Sequence, residues 1–175
     1  MSKVRQTGEA HVRTVASADR KKAVATVALA FASDPMMRWS FPDPARYLAI
    51  ACDFIDAFGG HAAEHGSAEE IADFAAVALW LPPGVVPDGE AMGAIIGANM
   101  PADRMEDGGA LVEQMNRFHP KESHWYLPLI GADPVPSITR AALSTTVPVP
   151  FRSPGAPTLC ASAWQTVNKT NNARI

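Results

Sequence analysis

His124-Trp125-Tyr126-Leu127-Pro128-Leu129-Ile130-Gly131-Ala132-Asp133-Pro134 is an apolar, aromatic run closed by Gly and Pro. A run of this length between turn signals reads as a buried central β-strand. Two of its residues resist an unbroken ladder. Pro128 lacks the N–H that a ladder uses, and Gly131 inside a strand marks a bulge or a close approach to the backbone. Together they predict a strand that opens near Gly131 and offers unpaired backbone groups at its C-terminal end.

Upstream, the chain supplies partners for that strand. Residues 11–15 (His-Val-Arg-Thr-Val) alternate and are β-branched, which predicts a first strand. Val24, Val27, Ala28 and Phe31 fall at helical spacing between Asp19 and Ser33, and Asp34-Pro35 is read as the stop of that helix. A second helix is marked at both ends. Asp43 is the N-cap, Pro44 the first helical residue, and Gly59-Gly60 the exit. Its apolar face is Tyr47, Ile50, Ala51, Phe54, Ile55 and Phe58. Residues 61–73 read as a polar loop with a short strand, and residues 75–81 as a strand stopped by Pro82-Pro83-Gly84. Two helical stretches follow, one from Asp88 through Met92, Ile95 and Ile96, the other with Leu111, Val112, Met115 and Phe118 on one face. Strand, two helices, two strands, helices, strand is an α/β or α+β plan.

Downstream the texture changes. Six of the 15 prolines fall between Pro134 and Pro157, and residues 135–150 follow neither a helical nor a strand period. Residues 157–164 are the one further strand candidate.

At 175 residues the chain is expected to form a single domain, residues 1–175, with a core that needs no staples. A net charge of −3 gives no basic footprint, so nucleic acid is not an expected partner. No apolar run approaches a membrane span, and no leader pattern opens the chain, which makes a cytoplasmic protein the expectation. Cys52 and Cys160 lack C-x-x-C spacing and are expected to be reduced core residues.

Several groupings bear on chemistry. His61-Ala62-Ala63-Glu64-His65 matches H-x-x-E-H, in which a helix would set both imidazoles on one face for zinc with Glu64 as base. Glycines close on either side leave it a short platform, and a polar loop without metal is the preferred reading. Glu69, Glu70 and Asp73 precede the 75–81 strand, where a carboxylate facing a cleft serves as a general base. A solvated strand end is the commoner outcome for such a run. Trp80, Trp125 and Tyr126 are candidates to line an aromatic pocket or to fill the core, and His124 is a cleft base or a structural histidine. No G-x-S-x-G, Walker A or G-x-G-x-x-G motif is present.

Preceded by Arg117-Phe118-His119-Pro120-Lys121-Glu122-Ser123, the opening strand resembles the GCN5-related N-acetyltransferase (GNAT) superfamily, in particular the branch that contains puromycin N-acetyltransferase. The His-Pro-Lys-Glu run before an aromatic strand and its Gly-x-x-Pro exit carry the likeness. Residues 75–83 resemble an earlier strand of that branch, and the likeness covers residues 10–135. It implies a mixed, mostly antiparallel sheet flanked by helices, splayed between two strands where acetyl-CoA lies. It further implies that Leu129, Ile130, Gly131 and Ala132 bind acetyl-CoA through their backbone. The implied activity is acetyl transfer to an amine of a small molecule, without metal. His124, Tyr126, Glu69 and Glu70 are the candidates for the base. Oligomeric state is not readable from the sequence.

The chain departs from the family's pattern after Pro134. The Q/R-x-x-G-x-G/A turn that would hold the pyrophosphate is replaced by Val135-Pro136-Ser137-Ile138-Thr139-Arg140-Ala141-Ala142, without glycine. Asn168 or Asn172 stands in for the family's later Asn, and the last strands have no counterpart. Some codons for Pro-Ser-Ile-Thr-Arg-Ala, read one nucleotide later, spell His-Gln-Ser-Arg-Gly. A frame change after Pro134 is therefore one account of residues 136–175, and divergence or truncation is the other.

Overall fold

The computed structural model describes residues 11–134. Asn168, Asn172, Cys160 and the strand candidate at 157–164 lie outside the described residues.

Four strands, β1 (Val12–Thr14), β2 (Ala68–Ile71), β3 (Ala76–Leu81) and β4 (Tyr126–Ala132), form one sheet in the order β1-β2-β3-β4. Each neighbouring pair is antiparallel. Six helices accompany it among the described residues: α1 (Arg20–Ala30), α2 (Pro35–Ser40), α3 (Pro44–Gly59), α4 (His61–Glu64), α5 (Gly89–Asn99) and α6 (Met105–Phe118). The α+β plan is as expected, with an entirely antiparallel sheet in the described part.

Helix α3 forms where its signals stand. The Asp43 carboxylate accepts the Ala45 N–H at 2.9 Å, Pro44 occupies the first turn, and Tyr47, Ala51, Phe54 and Ile55 are buried. Helix α1 sets Val24, Val27 and Ala28 into the same core, and its alanines let it lie close to the sheet. Tyr47 joins the two helices by donating its hydroxyl to the Ala28 carbonyl at 2.7 Å, and burial pushes its phenol up to about 12. Among the described residues, no helix is long and apolar enough to cross a membrane.

Four expectations are corrected. Asp34-Pro35 ends α1 but also begins α2, because Asp34 accepts the Met37 N–H at 2.9 Å. The polar 61–73 segment contains the single-turn α4 besides its strand. Among the described residues, the strand read as central stands last in the order β1-β2-β3-β4, and Ile130 is 60% exposed on one of its faces. Cys52, half-buried on α3, is disulfide-bonded and not a reduced thiol.

The turn from β2 to β3 is strained. Ala72, Asp73 and Phe74 take φ of +50°, +57° and +66° in succession. A left-handed alanine costs about 1–2 kcal/mol, while glycine there forfeits about 0.5–1 kcal/mol through the unfolded chain. Ala72→Gly is therefore expected to stabilise by about 0.5–1 kcal/mol, raising Tm by roughly 2–3 °C in a thermal melt. A lowered Tm would contradict the strain.

Candidate functional site

The strand that opened the sequence reading has two unlike edges. Asp133 donates its N–H to the Ala75 carbonyl at 2.8 Å, in the same register that pairs Gly131 with Val77 and Leu129 with Leu79. Backbone direction alternates along an antiparallel strand. Leu129 and Gly131 therefore turn their N–H and C=O toward β3, whereas Ile130 and Ala132 turn theirs to the outer edge. Among the described residues no strand pairs with that edge. Of the four residues expected to bind acetyl-CoA through their backbone, Ile130 and Ala132 turn their groups to that edge and Leu129 and Gly131 do not.

The irregularity in the ladder lies elsewhere than expected. Leu79 opposes Leu129 and Leu81 opposes Tyr126, so Trp80 faces both Leu127 and Pro128. The bulge is thus at Leu127-Pro128. Gly131 is in regular register. Its lack of a side chain answers to helix packing, since a Cβ there would sit 2.7 Å from the Ala30 Cβ and 3.4 Å from the Val27 Cα. Helix α1 passes over Gly131 on the covered face of the sheet.

The register also sorts the candidate side chains by face. Directly opposed residues share a face. Val77, Leu79 and Leu81 are buried beneath the helices, and Glu70, Leu129, Gly131 and Tyr126 lie on that side with them. Glu69, Ala78 and Ile130 form one cross-strand row on the opposite face, where Glu69 and Ile130 are exposed. Glu70 is 4% exposed and fully engaged, accepting from Arg13 Nε at 2.5 Å and from the Phe74 N–H at 2.8 Å. It fastens β1 and the strained turn to β2, which explains its burial without any catalytic role. Glu69 is exposed, and its side chain has no hydrogen bond or ion pair among the described residues. Trp80 and Tyr126 lie on opposite faces and do not line one pocket.

His124 and Tyr126 are brought together, and with them a residue that sequence reasoning missed. The His119 ring centroid is 4.9 Å from that of His124 and 5.0 Å from that of Tyr126, which it meets edge-on. The Pro120 break after α6 folds the chain back so that the two histidines meet. His124 Nδ1 lies 2.7 Å from the Glu122 carbonyl, and burial pushes the Tyr126 phenol up. His119 also borders a shallow depression lined by Leu111, Met115, Phe118 and Pro120.

The H-x-x-E-H segment is organised around an arginine. Arg20 binds Asp56 through Nε at 2.7 Å and through a second nitrogen at 2.9 Å, and its remaining guanidinium nitrogen reaches Glu64. His61 Nδ1 lies 2.9 Å from the other Glu64 oxygen. The Glu64 carboxylate is thereby committed to tying α4 to α1. Among the described residues, no group of three or more His, Cys, Asp or Glu is arranged to hold a metal. The bond from His61, and then that from Arg20, hold the Glu64 carboxyl below the usual carboxylate range. A depressed folded pKa contributes stability above the unfolded value and loses it as pH falls through the folded one. Tm is therefore expected to fall as pH drops from about 5 to 3, less steeply in Glu64→Gln. Parallel Tm curves for the two proteins would contradict this tie.

No protein-family model and no curated protein matches the chain.

Proposed function

We propose that the protein is an N-acetyltransferase that moves an acetyl group from acetyl-CoA to an amine of a small molecule, within a GNAT-like fold. One observation carries the reading. The strand with the GNAT-like sequence turns the N–H groups of Ile130 and Ala132 to an edge that no described strand occupies. Donors fixed in a strand need no reorganisation to bond a thioester carbonyl and the oxyanion that develops from it. Leu129 and Gly131 support that edge by bonding to β3. Of the base candidates, Glu70 is committed to Arg13 and Phe74, while Glu69, His124 and Tyr126 remain candidates. We assign the protein to the cytoplasm, where acetyl-CoA is drawn upon, although a disulfide such as that at Cys52 is uncommon there.

A second reading has its own observation. Val135 to Ala142 contains no glycine, and prolines and β-branched residues do not present the nest of N–H donors that grips a pyrophosphate. A chain that kept the sheet but lost this grip would be a non-catalytic remnant. Isothermal titration of the full chain with acetyl-CoA separates the two. Micromolar binding supports the enzyme, and no detectable binding supports the remnant.

A further inference from the structure

We propose that Glu69 receives the acceptor amine and takes its proton, and that the acceptor is a primary ammonium on an apolar body lying across the face of the sheet that carries Glu69 and Ile130. This rests on the N-acetyltransferase reading above and adds to it the acceptor's place, its chemical class and the base. The first support is register. Glu69 opposes Ala78, and Ala78 opposes Ile130. The Glu69–Ala78 pair belongs to the hydrogen-bonded set, because Trp80 donates to the Ser67 carbonyl in the same register. The Ala78–Ile130 pair belongs to the other set, as derived above. One wide and one narrow step put the two Cα atoms about 10 Å apart. A glutamate side chain leaning into that interval leaves room for a substrate nitrogen and one bridging water.

The second support is the composition of the face. Its side chains are Val12 and Thr14 from β1, Glu69 and Ile71 from β2, and then those of Ala76, Ala78, Trp80, Ile130 and Ala132. Glu69 is the one charge among them. Val12 is 62% exposed and Ile130 60%. Ala78 raises nothing beyond a methyl group between Glu69 and Ile130, so the row is a shallow trough with a carboxylate at one side and the β4 edge at the other. A single anion on an apolar surface complements a monocation with an apolar body. A dianion or a polycation would leave charge unpaired on Val12, Ile71 or Ile130.

The third support is elimination. Glu70 and Tyr126 lie on the covered face, and Tyr126 starts β4 four residues before Ile130, about 13 Å along the strand. His124 is farther along, its ring tilted against that of His119. Of the candidate bases, Glu69 alone shares both face and row with Ile130.

The step balances as follows. The ammonium gives one proton, through the water, to the Glu69 carboxylate. The freed amine lone pair attacks the thioester carbon, forming C–N, and the oxyanion is held by the Ile130 N–H. Collapse breaks C–S, the second amine proton passes to the leaving thiolate, and the products are the amide, CoA thiol and protonated Glu69, which returns its proton to water.

The full chain and Glu69→Gln would be assayed with acetyl-CoA and 2-phenylethylamine from pH 7 to pH 9. Glu69→Gln is expected to lower kcat/KM at pH 7 by about 100-fold. Its rate should recover about tenfold per pH unit as solution supplies free amine, with Glu69→Asp intermediate and acetyl-CoA affinity unchanged. A Glu69→Gln rate within threefold of wild type at pH 7 would overturn the assignment and leave the acetyltransferase reading standing. Titration of 2-phenylethylamine alone covers the case in which acetyl-CoA fails to bind. Binding at least tenfold tighter to wild type than to Glu69→Gln supports the amine site, and equal or absent binding overturns it.

Discussion

Gly131→Val is expected to destabilise the protein by about 3 kcal/mol, lowering Tm by roughly 6–12 °C and moving the urea midpoint accordingly. The magnitude follows from what a side chain would meet. The nearest atoms to a Cβ at this position are the Ala30 Cβ at 2.7 Å and the Val27 Cα at 3.4 Å. Neither is the end of a flexible side chain, so no rotamer change relieves the clash. Helix α1 would have to lift from the sheet, drawing Val24, Val27 and Ala28 out of the core. Ala30→Gly should recover part of the loss, giving a coupling of about 1 kcal/mol or more in a double-mutant cycle. If Gly131 were glycine only to admit a ligand to the backbone, Gly131→Val would unfold like the wild type, and the helix contact would lose its meaning.

Glu70→Ala is expected to cost about 2–3 kcal/mol in urea unfolding. The carboxylate is 4% exposed and holds the buried Phe74 N–H at 2.8 Å, so its removal leaves a buried donor without an acceptor. Arg13 adds less, because its side chain is 60% exposed and rehydrates when freed. The strained Ala72-Asp73-Phe74 turn loses a fastening at the same time. Glu69→Gln, one residue away, should stay within about 0.5 kcal/mol of wild type. Two adjacent glutamates thus differ in kind, Glu70 built into the fold and Glu69 exposed on the other face. Equal stability losses at the two positions would refute the assignment of faces.

The sequence was most legible where local chemistry repeats a strong signal. Helix α3 carries a cap, a first-turn proline, a continuous apolar face and a glycine exit, and each of these is found in place. Asp34-Pro35 was harder, because the same dipeptide that stops one helix caps and begins the next. Helix α4 is one turn long, too short for periodicity to register. The 124–134 run was legible as a strand but its place as the last of the described strands was not, since apolar content does not reveal neighbours in a sheet. Both of its irregular residues were visible, and of the two readings open for Gly131, a bulge or a close approach, the close approach is the one found. Pro128 marks the bulge, and Gly131 marks the passage of a helix that is distant in sequence. Glu69 and Glu70 could not be told apart from sequence because alternate strand residues face opposite ways, and only the register with β3 fixes the parity. His119 was missed because its partnership with His124 and Tyr126 is made through space across the Pro120 turn.

Amide NMR of the isotope-labelled full chain, titrated with acetyl-CoA, tests the central claim most directly. The largest shifts are expected at the Ile130 and Ala132 amides, with smaller ones at Leu129 and Gly131, whose N–H groups are held by β3. Unmoved Ile130 and Ala132 amides at saturating acetyl-CoA would contradict the account.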